Sequence, residues 1–353
     1  MTDSTHASKA HTRIFLFSHP RTRSNLFIRL LGTHPQIISK QYPFMHGFQK
    51  GPENQWPDEI KEELLKALGE TKEEGEKKYA HLTFQAGLDD IEKFLAEAQE
   101  KGKFGVIKEH SYYTFDSRYL NSQIGFASKD SEKPRPVMVD RKLDVIGPEV
   151  ELDLPSPPFP NPTMLPDRLV ATMSPVIIIR HPIFTYPSYV RAFSVIRESG
   201  LKTEFSLMAT YRWQRIIYDF YRAYYNQTDP AGKKDWPVVI DGDKLVEDTE
   251  GQMKKFCALV GLTESEIQYS WDSLGRPTDR FLDSFMGTIN ESTGVIKGSV
   301  SLAFESRESS GIPELNEQVK KWTAEWNEEV ARKIEEAVES SIGDYEYLKA
   351  RSL

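Results

Sequence analysis

Residues 13–31 constrain the chain more than any other stretch. Arg13-Ile14-Phe15-Leu16-Phe17 is apolar and β-prone, the pattern of a buried strand. Leu26 to Leu31 carries apolar residues at helical spacing. Between them, Ser18-His19-Pro20-Arg21-Thr22-Arg23-Ser24-Asn25 gathers two arginines and several hydroxyl and amide groups in one turn. A strand that feeds a helix through such a turn aims backbone N–H groups and the positive helix end at one spot. That spot suits a phosphate or sulfate. An ordinary βα turn with surface arginines is the plain alternative.

Three further strands are readable. Pro175-Val176-Ile177-Ile178-Ile179 is an unbroken β-branched run, which implies burial on both faces, as in a parallel sheet. It ends in Arg180-His181-Pro182, and the segment Ile183 to Phe193 follows with Ser188, Tyr189 and Arg191. Residues 103–110 form a second strand ending in the polar run Lys108-Glu109-His110. In open α/β sheets, ligand sites gather at the carboxyl ends of strands. Trp236 to Ile240 is the third.

The first helix stops at Gly32-Thr33-His34-Pro35, and the aromatic loop 42–48 either lines a pocket or packs the domain. Amphipathic helices are expected over Trp56 to Lys78 and Leu88 to Lys101. Others are expected over Glu204 to Tyr225, over Gln252 to Val260 before Gly261, and over Glu314 to Ser341. Trp271 to Glu308 reads as irregular. Ser131 to Pro166 is too rich in proline for regular structure and is expected to form a lid or wall. The order predicts one three-layer α/β domain over 13–353, with a mostly parallel central sheet flanked by helices, preceded by a flexible arm over 1–12.

The chain has 353 residues and a net charge of −8, which gives no support to general nucleic-acid binding. Its single cysteine, Cys257, allows neither an internal disulfide nor a cysteine metal cluster, and no metal site is expected. No run approaches the roughly 18–20 apolar residues of a membrane span. Met1 to His11 lacks an apolar signal core, so the cytoplasm is the expected compartment.

The turn lacks the Gly-x4-Gly-Lys-Ser/Thr pattern of nucleotide triphosphatases. It resembles instead the phosphosulfate loop of the PAPS-dependent sulfotransferases, a family with a P-loop-type core, where Pro-Lys/Arg-Ser-Gly-Thr-Thr links a strand to a helix. Pro20 and Arg21 match, Thr22 stands at the serine, Arg23 at the glycine, and Ser24 and Asn25 at the two threonines. Arg180 to Arg191 resembles the family's second element. The resemblance gives Arg180 and Ser188 the 3′-phosphate of the donor, a task suited to a permanently charged, bidentate guanidinium. Lys108-Glu109-His110 resembles the third element, and implies His110 as catalytic base with Lys108 on the sulfuryl group. Glu109 is the rival base, because other branches of the family use a carboxylate. Lys297 and Ser299 are loose counterparts of the late donor loop. Tyr42, Phe44, His46, Tyr112 and Tyr113 are candidates for acceptor contacts.

The resemblance implies transfer of a sulfuryl group from PAPS to a hydroxyl of a small molecule, with release of PAP. Arg21 would stabilise the charge that grows on the leaving phosphate. The sulfate either stays in the product or serves as a leaving group. A nucleotide-dependent kinase or hydrolase on the same core, and a non-catalytic PAP(S)-binding relative, are the other readings. The oligomeric state is left open.

Overall fold

The computed structural model describes residues 12–124, 133–145, 156–194, 203–297 and 314–353. Strand β1 is Arg13–Ser18, followed by α1 (Ser24–Leu31), β2 (Ile37–Gln41), α2 (Met45–Lys50), α3 (Asp58–Ala67), α4 (Lys72–Lys78) and α5 (Phe84–Glu100). Strand β3 (Phe104–His110) leads into a 3₁₀ turn, Ser111–Thr114, and α6 (Ser117–Ile124). Helix α7 (Asp167–Thr172) precedes β4 (Ser174–Ile179), α8 (Pro182–Phe193), α9 (Thr203–Met208) and α10 (Arg212–Thr228). Strand β5 (Val238–Asp241) runs into α11 (Gly242–Glu247) and α12 (Thr249–Val260). Helices α13 (Arg280–Glu291), α14 (Leu315–Glu325) and α15 (Glu328–Lys349) complete the chain.

The sheet order is β2-β3-β1-β4-β5, and every pairing is parallel. Ile14 to Phe17 and Val176 to Ile179 are all buried, so helices cover both faces of the sheet centre. The chain leaves β1 toward β2 and β3 on one side and later returns to β4 and β5 on the other. Crevices therefore open beside the carboxyl end of β1. Register puts Ser18 opposite both His110 of β3 and Ile178 of β4, so the turn after β1, the end of β3 and Arg180 share one edge.

Several elements differ from the sequence expectation. Strand β2 lies between the expected helix end at 32–35 and the expected loop at 42–48, where no element is expected. It is an edge strand with only Ile37 buried, so it lacks an apolar signature. The helix expected over Glu204 to Tyr225 breaks between α9 and α10. There the carbonyls of Leu207 and Met208 accept from Trp213 Nε1 at 2.6 Å and meet His19 Nε2 at 2.5 Å. The helix expected over Trp56 to Lys78 divides at Gly69, whose φ is +75°, and Thr71 and Glu74 form a capping box for α4. The helix from Glu314 divides at Asn327, whose side chain accepts from Val330 N at 2.9 Å and starts α15. Within the stretch read as irregular, Asp279 accepts from Leu282 N at 2.7 Å and starts α13.

Of the stretch 131–166, the structure describes 133–145 and 156–166. Residues 139–143 run along α5, where Val139 and Gln85 exchange two hydrogen bonds of 2.7 and 3.0 Å. Asp140 and Asp144 then close on Arg168 of α7, and Asp144 pairs with Arg13 at the start of β1. Burial of Asp144 and Glu92 around these two arginines anchors the segment at the amino end of β1.

Candidate active site

The turn between β1 and α1 is braced from within. Thr22 is buried and its hydroxyl donates to the carbonyl of His19 at 2.7 Å. Arg21 and Arg23 both adopt left-handed backbone, with φ of 68° and 67°. Arg23 occupies the position of the glycine in the family pattern. Its positive φ explains why glycine suits that place, and L-residues hold it at a cost of about 1–2 kcal/mol. A second close approach seals the turn from the far side. A Cβ on Gly242 would stand 2.5 Å from the carbonyl oxygen of Thr22 and 3.1 Å from that of Ile179, so only glycine fits there.

Three arginines converge on the turn. Arg21 Nε donates to Ser188 Oγ at 2.9 Å and its NH1 to the carbonyl of Ser284 at 3.1 Å. Arg23 donates to the Gly242 carbonyl at 3.1 Å and pairs with Asp243 Oδ1 at 3.1 Å. Arg180 pairs with the same Oδ1 at 3.3 Å and donates to the Arg21 carbonyl at 3.4 Å. Tyr211 fixes the backbone of Arg180 by accepting from its N–H at 3.0 Å. Burial, and then the charge of Arg180, lowers both Arg21 and Arg23 from 12.5 to about 10. One carboxylate, Asp243, faces two guanidiniums, and the third adds further positive charge. An anionic ligand fits such a pocket, because it would supply the missing negative charge.

Strand β3 delivers its three polar residues to different places. Alternation sends Lys108 and His110 to one side and Glu109 to the other. Glu109 is buried, and its carboxyl accepts from the backbone N–H of Phe44 (2.9 Å), Met45 (3.0 Å) and His110 (2.7 Å). Burial pushes it up to about 7 against the pull of these bonds. It holds the entry to α2 and does not line the cleft, so the geometry gives it a structural task instead of that of the rival base. Lys108 is buried beneath the cleft wall. Its Nζ bonds Tyr42 Oη at 2.6 Å and Asn25 Oδ1, and burial lowers it to about 7. It acts on the site through Tyr42 and Asn25, which do line the cleft.

His110 lines the cleft, with Nδ1 at 2.8 Å from Ser18 Oγ. Burial, and then the charge of Lys108, holds its pKa well below 6.5, so the ring is neutral at neutral pH. A neutral imidazole on a cleft can accept a proton.

The cleft measures about 1070 Å³. Arg21, Arg23, Ser24, Asn25, Arg180 and Ser188 line its cationic end, and Tyr42, His46, Tyr113 and His110 line it further along. Phe44 and Tyr112, expected at the acceptor, lie in the core instead. Phe44 stacks on Phe84 with ring centroids 5.9 Å apart, and Tyr112 Oη accepts from Trp56 Nε1 at 3.0 Å. Lys297 is exposed and does not line the cleft, and Ser299 falls outside the described residues. Sequence reasoning missed Asp243, Gly242 and Ser18, whose partners lie on other elements. It also missed α13, whose Phe285 packs under Arg21 with 5.7 Å to the ring centroid. Among the described residues, no cluster of three potential metal ligands occurs, and no helix is long and apolar enough to cross a membrane.

The parallel α/β sheet brings a cationic pocket and a neutral histidine to one cleft, an arrangement that suits an anionic ligand. Nearly the whole chain is also similar to two proteins named as sulfotransferases. Sulfotransferase ppzF of Metarhizium majus (strain ARSEF 297) is 26% identical over 355 residues, covering 97% of this chain and 96% of that protein. Sulfotransferase ppzF of Metarhizium rileyi (strain RCEF 4871) is 26% identical over 352 residues, with the same coverage. These likenesses support a sulfotransferase family for the chain. A solved sulfotransferase domain from the Synechococcus PCC 7002 olefin synthase aligns at 13% identity and a TM-score of 0.36, over 88% of this chain and 94% of that one. That score is too low to bear on the fold, which the sheet itself defines. No protein-family model matches the chain.

Proposed function

We propose that the protein transfers the sulfuryl group of PAPS to a hydroxyl of a small-molecule acceptor and releases PAP. The observation that carries this reading is that Arg21, Arg180 and His110 line one cleft. On this reading Arg21, Ser24 and the backbone N–H groups of the turn hold the 5′ end of the donor, while Arg180 and Ser188 hold its 3′-phosphate. Arg23 adds a third positive charge. The donor supplies an activated sulfuryl group. His110 accepts the hydroxyl proton as the acceptor oxygen bonds to sulfur, and Arg21 stabilises the phosphate oxygen from which sulfur departs. Lys108 keeps Asn25 and Tyr42 in place beside the reacting atoms. Tyr42, Met45, Leu64, Leu68 and Tyr113 give the far part of the cleft an apolar and aromatic wall, which suits a partly apolar acceptor.

Thermal denaturation with nucleotides tests the donor. PAP raises the melting temperature and ATP with Mg²⁺ leaves it unchanged if the reading is right. The reverse pattern favours a kinase or hydrolase. A screen of hydroxylated compounds for protein-dependent PAP release from PAPS then identifies the acceptor.

A further inference from the structure

We propose that Ser18 is a positioning residue for His110, fixing the ring in the tautomer that carries hydrogen on Nδ1 and keeps Nε2 as the proton acceptor. Ser18 and His110 are ladder partners on adjacent strands, so the sheet register sets their distance. Both are buried, with 2.8 Å between Ser18 Oγ and His110 Nδ1. Ser18 Oγ also donates to the carbonyl oxygen of Glu109 at 3.2 Å. A serine hydroxyl has one hydrogen. With that hydrogen on the Glu109 carbonyl, Oγ turns only lone pairs toward the imidazole, so the hydrogen between them belongs to Nδ1. The reverse arrangement would turn the hydroxyl hydrogen toward Nδ1 and leave two acceptors, Ser18 Oγ and the Glu109 oxygen, facing each other.

The neutral ring then has its lone pair on Nε2, which meets no hydrogen-bond partner among the described residues. The device is economical in sequence. Ser18 is the last residue of β1 and opens the turn that carries Arg21, so one element shapes the anion pocket and also sets the proton acceptor. The aromatic rings of Tyr42 and Tyr113, with centroids 5.1 and 6.0 Å from that of His110, limit rotation of the imidazole.

The catalytic consequence rests on the function proposed above; the tautomer does not. The test is long-range proton–nitrogen correlation spectroscopy on the full chain labelled with nitrogen-15 in histidine. His110 is assigned by the signals lost in His110→Asn. The proposal expects a protonated Nδ1 and an unprotonated Nε2 at neutral pH. It expects the Nε2–H form to appear in Ser18→Ala and the original pattern to return in Ser18→Thr. A wild-type ring protonated on Nε2 overturns the proposal without any variant, and so does a Ser18→Ala spectrum identical to wild type. With an acceptor in hand, Ser18→Ala lowers turnover about 10-fold, the effect of one neutral hydrogen bond, and leaves PAP affinity unchanged. If His110→Ala keeps full turnover, the base assignment fails separately from the tautomer.

Discussion

The Nε of Arg21 donates to Oγ of Ser188 across 2.9 Å, tying the turn after β1 to the helix after β4. Two elements 167 positions apart thus share one cationic pocket. Ser188→Ala frees Arg21 from this partner. PAP affinity should fall about 5- to 10-fold, as expected for one neutral hydrogen bond. Calorimetric titration of PAP checks this, and an unchanged affinity would argue that the contact has no part in binding.

As the proposed base, His110 should govern the pH profile. An ordinary histidine titrates near 6.5, and burial holds this one well below that. A lowered pKa keeps the neutral, proton-accepting form as pH falls through 6.5. The acid limb of kcat/KM should therefore lie below pH 6.5, and an acid limb above it contradicts His110 as the base. His110→Ala should cost about 10²- to 10⁴-fold in turnover with PAP binding retained.

Glu109 is expected to matter for stability more than for chemistry. Its carboxyl serves three backbone N–H groups. In Glu109→Gln an amide NH₂ faces one or more of those donors. Urea unfolding should show a loss of about 2 kcal/mol, while turnover of the folded fraction stays within a few-fold of wild type. Loss of turnover comparable to that of His110→Ala would restore Glu109 as the base.

Gly242 lets the turn after β1 approach closely by having no side chain. In Gly242→Ala the new Cβ meets the Thr22 carbonyl at 2.5 Å, a backbone contact that only a shift of the turn can relieve. Overpacking of this kind costs about 1–3 kcal/mol. PAP affinity should fall with stability. A variant that melts and binds like wild type would show that the turn moves freely.

How far the sequence revealed this protein depended on the kind of signal. Val176 to Ile179 and Ile14 to Phe17 are buried on both faces, and that alone marks the sheet centre. Arg21 and Arg180 were legible because each follows an apolar strand within a segment that resembles a family element, whereas a charged strand end alone reads equally as a salt bridge. Tyr42 and Tyr113 reached the cleft while Phe44 and Tyr112 turned to the core, a choice made by the direction of a backbone that aromatic content cannot report. Strand β2 hid because an edge strand with exposed Ser39 and Gln41 reads as loop. Ser18 and Asp243 were invisible for another reason. Each matters through a partner far along the chain, His110 for one and Arg23 and Arg180 for the other.

The central claim is that Arg21 and Arg180, in one cationic pocket, hold the two phosphate groups of one donor. Affinities for PAP and for adenosine 5′-phosphate, measured on wild type and Arg180→Ala, test it most directly. Wild type should bind PAP about 100-fold more tightly than adenosine 5′-phosphate, since the second phosphate gains charge-assisted hydrogen bonds, and Arg180→Ala should bind the two alike. A wild-type protein that does not distinguish them, or an Arg180→Ala variant that still does, would contradict the account.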